Sequence, residues 1–475
     1  MRPDLRRKTK LVCTIGPSSE SPRTVERLVR AGMSVARINL SHGDGAQYET
    51  YIRTVRAVAD KLGVPVAILL DLPGPRYRTG GLSGGEVRLR KGARLVLTTR
   101  SVPGDEHEVS VNSPYLVQDV AAGHNIILDD GAIALRVRQT TDTDVVCDVV
   151  VGGVLRPRRG IAVPGAKLHA PFFTPQVRRH VEFSAEQEVE YIALSYVTGP
   201  ADVVQVREAM VDVGGTSMLV AKIERREAVQ RFDSILRASD GIMVARGDLG
   251  VEISLEKVPL VQKESIRKAN RAGKPVITAT QMLESMVHAP RPTRAEVADV
   301  ANAIWDGTDA VMLSAETAIG GYPVEAAKMM YRILKQTETA LPYERMTVER
   351  GADLEPQMDD AIAYAACHTA HQLGARAILA FTESGSTVWR VSKYRPRMPI
   401  LAMTPSDRVR RILALAWGAS AHLVATPTHV DDLFREGSAV AKSLGVAREG
   451  DLVVITGGIP VGVPGTTNLL KVHTV

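Results

Sequence analysis

Residues 218–248 read MLVAKIERREAVQRFDSILRASDGIMVARGD, and this stretch decides the fold. It contains two short apolar runs, 218–222 and 241–245, and polar side chains follow each run directly. Short β-rich runs that alternate with helical patterns are typical of parallel βα units. The stretch therefore predicts two neighbouring strands of a parallel sheet, each ending in polar residues.

The same alternation recurs along the chain. The predicted strands are 10–14, 35–40, 66–71, 191–195, 218–222, 241–245, 275–279 and 310–313. Eight consecutive parallel strands predict a closed (β/α)8 TIM barrel. After the third strand, short alternating strands broken by Gly and Asp turns predict an inserted all-β domain, and a new α/β pattern begins near residue 345. The predicted domains are 1–71 and 168–344 for the barrel, 72–167 for a β-barrel-like insert, and 345–475 for a C-terminal α/β domain.

The position of the insert has a consequence for function. A segment inserted after the carboxyl end of a barrel strand lies on the face where barrel active sites form. The insert is therefore placed to act as a lid that excludes water. The polar segment 347–356 is predicted to be the linker that leads into the C-terminal domain.

Composition excludes several classes of protein. The chain has 475 residues with 45% hydrophobic and 24% charged residues, as in ordinary folded proteins. Its 59 basic and 53 acidic residues give a net charge of +6, and their scatter suits anionic metabolites as well as nucleic acid. The three tryptophans form no stacking platform for bases, and the apolar run 11–15 is too short to span a membrane. We expect neither a nucleic-acid nor a membrane partner.

Cysteine usage indicates the compartment. The three cysteines, Cys13, Cys147 and Cys367, are far apart and lack metal-type spacing. This pattern argues for a reducing compartment and against a disulfide framework. The sequence predicts a cytoplasmic protein.

Polar residues concentrate at the carboxyl ends of the predicted barrel strands. They are Arg37, Asn39, Ser41, His42, Asp71, Lys222, Glu224, Arg246, Gly247, Asp248, Thr280, Gln281, Ser314 and Glu316. Because a barrel interior cannot hold unpaired charges, these residues predict a polar site at the barrel mouth.

Three of these positions suggest specific chemistry. Lys222 and Glu224 lie two apart in an extended strand, so both face the site, where they can serve a phosphate and a metal. A structural ion pair is the alternative for this pair. Residues 245–248 are predicted to form a loop whose backbone N–H groups can approach an anion, and a turn with a capping aspartate is the alternative there. Glu224 and Asp248 together, with waters and substrate oxygens, form a usual ligand set for Mg2+. The hydroxyl of Thr280 either caps a helix or relays a proton.

Longer runs carry a family resemblance. They are TIGPSSES (14–21), GMSVARINLSHG (32–43), LLDLPGPRYRTG (69–80), SDGIMVARGDLGVE (239–252) and NRAGKPVITATQMLESM (270–286). Over essentially its whole length the chain resembles the pyruvate kinase family. The resemblance implies a glycolytic phosphotransferase that moves the phosphoryl group of phosphoenolpyruvate to ADP, giving pyruvate and ATP, and that assembles as a homotetramer.

The resemblance also implies residue roles. The implied sets are Lys222, Arg37 and Thr280 for catalysis; Arg37, Lys222, Gly247, Asp248 and Thr280 for phosphoenolpyruvate; Asn39, His42, Arg78 and Arg159 for the nucleotide; and Glu224 and Asp248 for Mg2+ or Mn2+. Lys222 would stabilise the transferring phosphoryl group, since cations placed where charge spreads lower the barrier. The enolate left by transfer would be protonated near Thr280.

One departure from the family pattern concerns the monovalent cation. The family's K+ region corresponds to Asn39, Ser41, Asp71 and Leu72. Arg76 stands where many members carry a glutamate, which resembles the potassium-independent branch. We expect Arg76 to supply the charge otherwise delivered by K+, so that K+ is not required.

Three further residues, Pro73, Tyr77 and Ala162, also depart from the family pattern. Because of these departures, the resemblance does not determine turnover or acceptor preference.

A hydroxyl-rich loop in the C-terminal domain resembles the family's effector loop. Its predicted ligands are Thr382, Ser384, Gly385, Ser386 and Thr387, which precede a helix and are able to cradle a phosphate. Glu383 replaces a lysine common in fructose bisphosphate-responsive members. We therefore expect a sugar monophosphate or nucleotide as allosteric effector. A capped helix without a ligand is the alternative.

Two other functions remain open from the sequence. A phosphoenolpyruvate or oxoacid lyase would use a similar barrel and a metal-held enolate, but would have little need of a second phosphate pocket at Arg78 and Arg159. A catalytically silent sensor would bind phosphorylated metabolites through the C-terminal loop. Retention of Lys222, Glu224 and Asp248 argues against the sensor.

Overall fold

The computed structural model describes residues 5, 7–41, 43–426, 429–460 and 467–475. The chain opens with two βα units and a third strand. These elements are β1 (Lys10–Thr14), α1 (Pro22–Arg30), β2 (Val35–Asn39), α2 (Gly45–Leu62) and β3 (Ala67–Leu72). Both helices begin at a side chain that accepts a backbone N–H of the first turn, Ser21 for α1 and Asp44 for α2.

The insert follows β3. Its elements are β4 (Tyr77–Arg78), β5 (Val87–Leu89), β6 (Arg94–Thr98), β7 (Glu108–Ser110), α3 (Leu116–Asp119), β8 (Asn125–Leu128), β9 (Ile133–Thr140), β10 (Asp144–Val151), β11 (Gly153–Leu155) and β12 (Gly160–Ala162). One sheet has the order β4-β12-β8-β9-β10-β6-β7, and β11 pairs with β5. Alternate residues of these strands, such as Leu95, Leu97 and Leu135, form a separate core.

The second part of the barrel completes the closed sheet. Its elements are α4 (Pro175–Glu186), β13 (Tyr191–Leu194), α5 (Pro200–Asp212), β14 (Met218–Ile223), α6 (Arg226–Gln230), α7 (Phe232–Ala238), β15 (Gly241–Ala245), α8 (Arg246–Glu252), α9 (Val258–Arg271), β16 (Val276–Ala279), α10 (Arg294–Asp306), β17 (Ala310–Leu313), α11 (Ala315–Ala318) and α12 (Pro323–Glu338). The barrel closes in the order β1-β17-β16-β15-β14-β13-β3-β2, and every pairing is parallel. All eight carboxyl ends therefore meet at one mouth.

The C-terminal domain follows α12. Its elements are α13 (Tyr343–Gly351), α14 (Met358–Gln372), β18 (Ile378–Phe381), α15 (Ser386–Lys393), β19 (Ile400–Thr404), α16 (Asp407–Ile412), β20 (Ala419–Leu423), α17 (Val430–Ser443), β21 (Leu452–Gly458) and β22 (Thr467–Thr474). Its sheet has the order β20-β19-β18-β21-β22. The turn after α16 closes the amino end of the barrel, because Ala414 and Leu415 pack against its interior residues and the Tyr191 hydroxyl donates to Ile412 O at 2.6 Å.

The predicted fold class is confirmed, and the eight barrel strands lie within one residue of their predicted ends. The sequence predicts insert strands at 86–89, 94–98, 125–128, 133–137 and 145–150, which β5, β6, β8, β9 and β10 confirm, and C-terminal strands at 377–381, 399–403 and 451–456, which β18, β19 and β21 confirm. It does not predict the short strands β4, β7, β11 and β12, nor β20 and β22. The linker predicted at 347–356 is wrong in its first half, because α13 runs through Gly351. Within the described residues, no helix is both long and apolar enough to cross a bilayer.

Candidate active site at the barrel mouth

A buried network of charges joins β2, β3 and β14 at the mouth. The Arg37 Nε atom donates to Asp71 Oδ2 at 2.7 Å and its Nη1 donates to Thr14 Oγ1 at 2.9 Å. Lys222 Nζ lies 3.2 Å from Asp71 Oδ1 and donates to Ser195 Oγ at 2.6 Å. These contacts fix both cations side by side, which suits them to a dianionic group.

Electrostatics keeps this network ionised. Burial alone would raise the pKa of Asp71, but Lys222 and Arg37 outweigh it and hold that pKa below its ordinary value. Burial alone would lower the pKa of Lys222, and the charges of Asp71 and Glu224 instead raise it. Lys222 is therefore a permanent ammonium at neutral pH, and it is only 8% exposed.

Glu224 follows β14 and differs from the other buried acids at the mouth. Its Oε1 accepts the backbone N–H of Tyr196 at 2.6 Å, and its Oε2 lies 3.4 Å from Lys222 Nζ. That contact lacks hydrogen-bond geometry, so Glu224 Oε2 has no hydrogen-bond partner among the described residues. Burial raises the pKa of Glu224 to about 7, opposed by Lys222 and reinforced by the charge of Asp248. A buried carboxylate oxygen left without a donor is placed to accept a further ligand.

Asp248 lies in the first turn of α8, although the sequence suggested a loop there. Its Oδ1 is 3.3 Å from Arg76 Nη1 and accepts from the Tyr196 hydroxyl at 3.4 Å. Tyr196 thus touches both carboxylates, Glu224 through its backbone and Asp248 through its side chain. Its φ of 62° is left-handed, a conformation that costs free energy in a residue other than glycine and that is typical of functional sites.

Two glycines, Gly74 and Gly160, allow the insert to approach these acids. A Cβ on Gly74 would lie 2.5 Å from the backbone oxygen of Ser195, so no larger residue fits without moving the backbone. On Gly160 a Cβ would lie 2.4 Å from the guanidinium of Arg76. These two close approaches let Arg76 reach Asp248 between the insert and the barrel.

Thr280 lies in a strained turn after β16. Thr280 and Gln281 both have positive φ, at 65° and 53°. The Thr280 hydroxyl donates to Ala279 O at 2.6 Å and accepts the N–H of Gly247 at 2.8 Å. The buried Arg246 donates from Nη2 to the carbonyls of Thr280 and Gln281. Arg246 therefore holds the turn in place, and Gly247 and Thr280 meet as the sequence predicted.

The predicted nucleotide and monovalent-cation residues are less concentrated. Asn39 Oδ1 accepts the backbone N–H of Ser41 at 3.1 Å, and Leu72 ends β3 beside Asp71. His42 lies outside the described residues. In the insert, Arg78 Nη1 donates to Arg158 O at 3.3 Å and Arg159 Nη1 is 3.5 Å from Asp129 Oδ1.

Sequence reasoning missed two residues that contact the predicted site residues, Ser195 and Tyr196. Ser195 Oγ accepts from Lys222 and donates to Asp71 Oδ1 at 3.0 Å, so it aligns both side chains. Both residues directly follow β13, and the rule that selected polar residues at the other strand ends would have found them.

The acids at the mouth suit a divalent cation that takes few protein ligands. Among the described residues there is no group of three or more His, Cys, Asp and Glu side chains that could hold a metal. Mg2+ needs fewer protein ligands, since it is commonly held by one or two carboxylates with waters and substrate oxygens. Glu224 with its unpartnered Oε2 and the nearby Asp248 fit that requirement.

The predicted effector loop is held by its own hydroxyls. Gly385 N–H donates to Thr382 Oγ1 at 2.8 Å, and Ser384 Oγ donates to Ser386 Oγ at 3.2 Å. Thr387 Oγ1 is 2.7 Å from Thr467 Oγ1. Thr382, Ser384 and Gly385 precede α15 as predicted, whereas Ser386 and Thr387 form its first turn. Ligand binding by these residues stays a prediction.

Comparisons with known proteins identify the family of this chain. Family models described as pyruvate kinase, barrel domain, and pyruvate kinase, alpha/beta domain, match residues 6–327 and 360–473. Pyruvate kinases of Staphylococcus haemolyticus and Geobacillus stearothermophilus are each 46% identical over 99% of this chain, which covers 80% and 81% of their lengths. A crystal structure of a pyruvate kinase from Cryptosporidium parvum superposes with a TM-score of 0.93 at 37% identity, covering 100% of this chain and 98% of that one. The chain therefore belongs to the pyruvate kinase family.

Proposed function

We propose that the residues at the barrel mouth carry out the pyruvate kinase reaction, in which the phosphoryl group of phosphoenolpyruvate passes to ADP and gives pyruvate and ATP. The observation that carries the assignment is the ammonium of Lys222, buried beside Arg37 and fixed by Asp71 and Ser195. A migrating phosphoryl group spreads negative charge over its oxygens. Two cations held rigidly in a site of low dielectric stabilise that charge without reorganising.

Glu224 and Asp248 would hold the divalent cation, Mg2+ or Mn2+. When bound, the cation supplies positive charge to phosphate oxygens and lowers the barrier to transfer. Tyr196, which contacts both carboxylates, and Arg76, which contacts Asp248, would orient these two acids.

The proton that converts the enolate to pyruvate enters near Thr280. Its hydroxyl already donates to Ala279 O, so the proton would come through a water aligned by that hydroxyl. We expect Thr280→Ala to slow incorporation of solvent protons into pyruvate more than it slows phosphoryl transfer. Equal loss of both steps would assign Thr280 to substrate binding instead.

Phosphoenolpyruvate would contact the first turn of α8 at Gly247 and Asp248. The nucleotide phosphates would meet Asn39, His42, Arg78 and Arg159. The cations Arg78 and Arg159 belong to the insert, so closure of this domain over the mouth would bring them to ADP and exclude water.

Arg76 is proposed to replace K+. Its guanidinium carries a permanent charge, and its contact with Asp248 supports a position inside the site. The expected result is full activity in buffer free of K+ and a many-fold K+ activation in Arg76→Glu, which restores the carboxylate common in the family. Strong K+ activation of the wild-type protein would contradict the proposal.

A coupled assay with phosphoenolpyruvate, ADP and Mg2+ tests the whole assignment. Glu224→Gln keeps the size of the side chain and removes the charge, so we expect loss of Mg2+ activation, with Glu227→Gln as the matched control outside the proposed ligand set. Pyruvate formation without ADP would favour the lyase. Absence of turnover together with binding of phosphorylated metabolites would favour the sensor.

We also propose a compartment, an assembly state and a mode of regulation for this protein. All three cysteines are buried and free, which supports a reducing cytoplasm. A homotetramer and a phosphorylated effector at the Thr382–Thr387 loop follow from family membership. Light scattering tests the homotetramer, and Ser386→Ala tests binding of the phosphorylated effector at the loop.

A further inference from the structure

Tyr77, one of the departures from the family pattern, forms a buried cluster with Asp119 and His169, the Tyr77 clasp. Tyr77 is 3% exposed and packs in the core of the insert, and its hydroxyl donates to Asp119 Oδ2. The other oxygen, Asp119 Oδ1, accepts the backbone N–H of His169 at 3.1 Å and lies 2.6 Å from its ring Nδ1. Because a carboxylate only accepts hydrogen bonds, this contact assigns the ring proton to Nδ1. Burial and the hydrogen bond to Asp119 raise the pKa of Tyr77 well above its ordinary value, so the hydroxyl keeps its proton.

The Tyr77 clasp ties together both connections between the insert and the barrel. Tyr77 begins β4, which follows the outgoing connection from β3, and His169 lies in the returning connection between β12 and α4. Asp119 ends α3 inside the insert, and its side chain is fully buried. A buried carboxylate costs free energy unless donors reach it, and here both connections supply them. The clasp therefore fixes both connections relative to the core of the insert.

The strand β4 carries Tyr77 and Arg78 on opposite faces. Tyr77 pairs with Ile161 of β12, and Arg78 pairs with Gly160. On the other edge of β4, Asn112 Oδ1 accepts the backbone N–H of Arg78 at 2.8 Å. Successive side chains of a strand point to opposite faces, so Arg78 points away from the core in which Tyr77 is buried. Because β4 has only two residues, few backbone contacts fix Arg78, and the buried side chain of Tyr77 adds a further constraint.

We propose that Tyr77 is a positioning residue, which through the Tyr77 clasp holds Arg78 in the place where the phosphates of ADP bind. The inference rests on the nucleotide role proposed for Arg78 and adds the side chains that make this role effective. Tyr77→Phe would leave Asp119 Oδ2 without the donor that it has in the structure, and a buried acceptor without a donor is costly. The backbone of β4 would then shift, and a small displacement of a cation that grips phosphate weakens its contribution.

Steady-state kinetics of the full chain test the proposal, with ADP and phosphoenolpyruvate varied separately. Tyr77→Phe removes only the hydroxyl, and we expect it to raise the KM for ADP about fivefold, the usual worth of one hydrogen bond. The value of kcat and the KM for phosphoenolpyruvate should stay at the wild-type level, because Lys222 and Arg37 lie on barrel strands. Tyr115→Phe is the matched control, since it removes a half-buried hydroxyl beside the same core.

A double variant shows whether Tyr77 acts through Arg78. Arg78→Gln should raise the KM for ADP by itself. Tyr77→Phe added to Arg78→Gln should raise it no further, because effects that pass through one residue are not additive. An equal rise in both backgrounds would overturn the positioning role. A wild-type KM for ADP in Arg78→Gln would instead remove the nucleotide role of Arg78, and the inference with it.

A structural role would give a different result. If the clasp served stability alone, Tyr77→Phe would melt at a lower temperature and keep the wild-type KM for ADP, which would overturn the proposal. If Tyr77→Phe does not fold, His169→Gln decides the question, because its side chain is half exposed and its backbone N–H still donates to Asp119. We expect His169→Gln to raise the KM for ADP about twofold, and an unchanged value there would also overturn the positioning role.

Discussion

The two ends of the barrel bury charges in different ways. At the mouth, Glu224 Oε2 lacks a hydrogen-bond partner among the described residues, and Lys222 approaches it at 3.4 Å. At the amino end, Arg395 lies 2.8 Å from Asp309 Oδ1, donates to Gly307 O at 2.8 Å and to Asn270 Oδ1 at 2.5 Å, and stacks on Trp417.

This difference distinguishes a ligand-binding site from a structural contact between two domains. The barrel supplies acceptors to both Nη atoms of Arg395, so these contacts join the C-terminal domain to the barrel floor, although its Nε has no hydrogen-bond partner among the described residues. At the mouth the unpartnered oxygen is an acceptor, Lys222 lies beside it, and Arg37 and Lys222 share the carboxylate of Asp71. Neither a buried charge nor an unpartnered atom alone therefore identifies an active site, whereas acids and cations gathered at the open end of the barrel do.

The largest expected effect comes from removing the cation at the mouth. Lys222→Met should lower kcat by about 10³-fold or more, because a fixed charge on the transferring group is lost. The free energy of unfolding should also fall, because Asp71 and Glu224 stay buried and lose a cation, although Asp71 keeps its contact with Arg37. Steady-state kinetics and urea unfolding measure the two quantities. Activity within tenfold of the wild type would show that Lys222 is structural.

At the opposite end of the barrel, the same kind of substitution should lower stability without lowering kcat. Arg395→Met leaves Asp309 buried without its cation, which should lower the free energy of unfolding by about 3 kcal/mol. The folded fraction should keep its kcat, because the side chain is remote from the mouth. A large loss of kcat at temperatures where the variant is folded would contradict this separation.

The sequence predicted the parts of the mouth that depend on single strands. Arg37, Asp71 and Lys222 stand at strand ends, and parallel strands in a closed barrel bring those ends together. Local patterns could not predict the contact of Arg76 with Asp248, since these residues are distant in the chain and meet across two domains.

Helical boundaries show a second limit of the sequence. The run Arg246-Gly247-Asp248 follows a strand and lacks apolar periodicity, so it suggests a loop. It forms the first turn of α8 because the buried Arg246 donates to the carbonyls of the neighbouring Thr280 turn. Tertiary hydrogen bonds therefore outweighed local propensity at the site itself.

The amino end should also show a distinctive pH dependence. Burial, followed by the charges of Arg7 and Lys8, lowers the pKa of Lys10 to about 7, with Glu338 opposing the shift. The unfolded chain then binds more protons than the folded chain above pH 7, so the free energy of unfolding should rise with pH. Between pH 7 and 8, this rise should exceed that of Lys10→Met by about 1 kcal/mol in urea unfolding. A difference that stays constant across this interval would show that Lys10 keeps its ordinary pKa.

The smallest effect should come from the hydroxyl that touches Asp248. Its 3.4 Å contact is long for a hydrogen bond, so Tyr196→Phe should raise the half-saturating Mg2+ concentration about threefold, less than second-shell losses usually cost. The backbone contact with Glu224 remains in this variant, and kcat should stay within twofold. Tyr343→Phe removes a hydroxyl that donates to Glu338 O far from the mouth and serves as the matched control. Mn2+ binding to the free protein separates the possibilities: a threefold weaker affinity in Tyr196→Phe alone assigns the hydroxyl to orienting Asp248, whereas unchanged affinity leaves that role to Arg76.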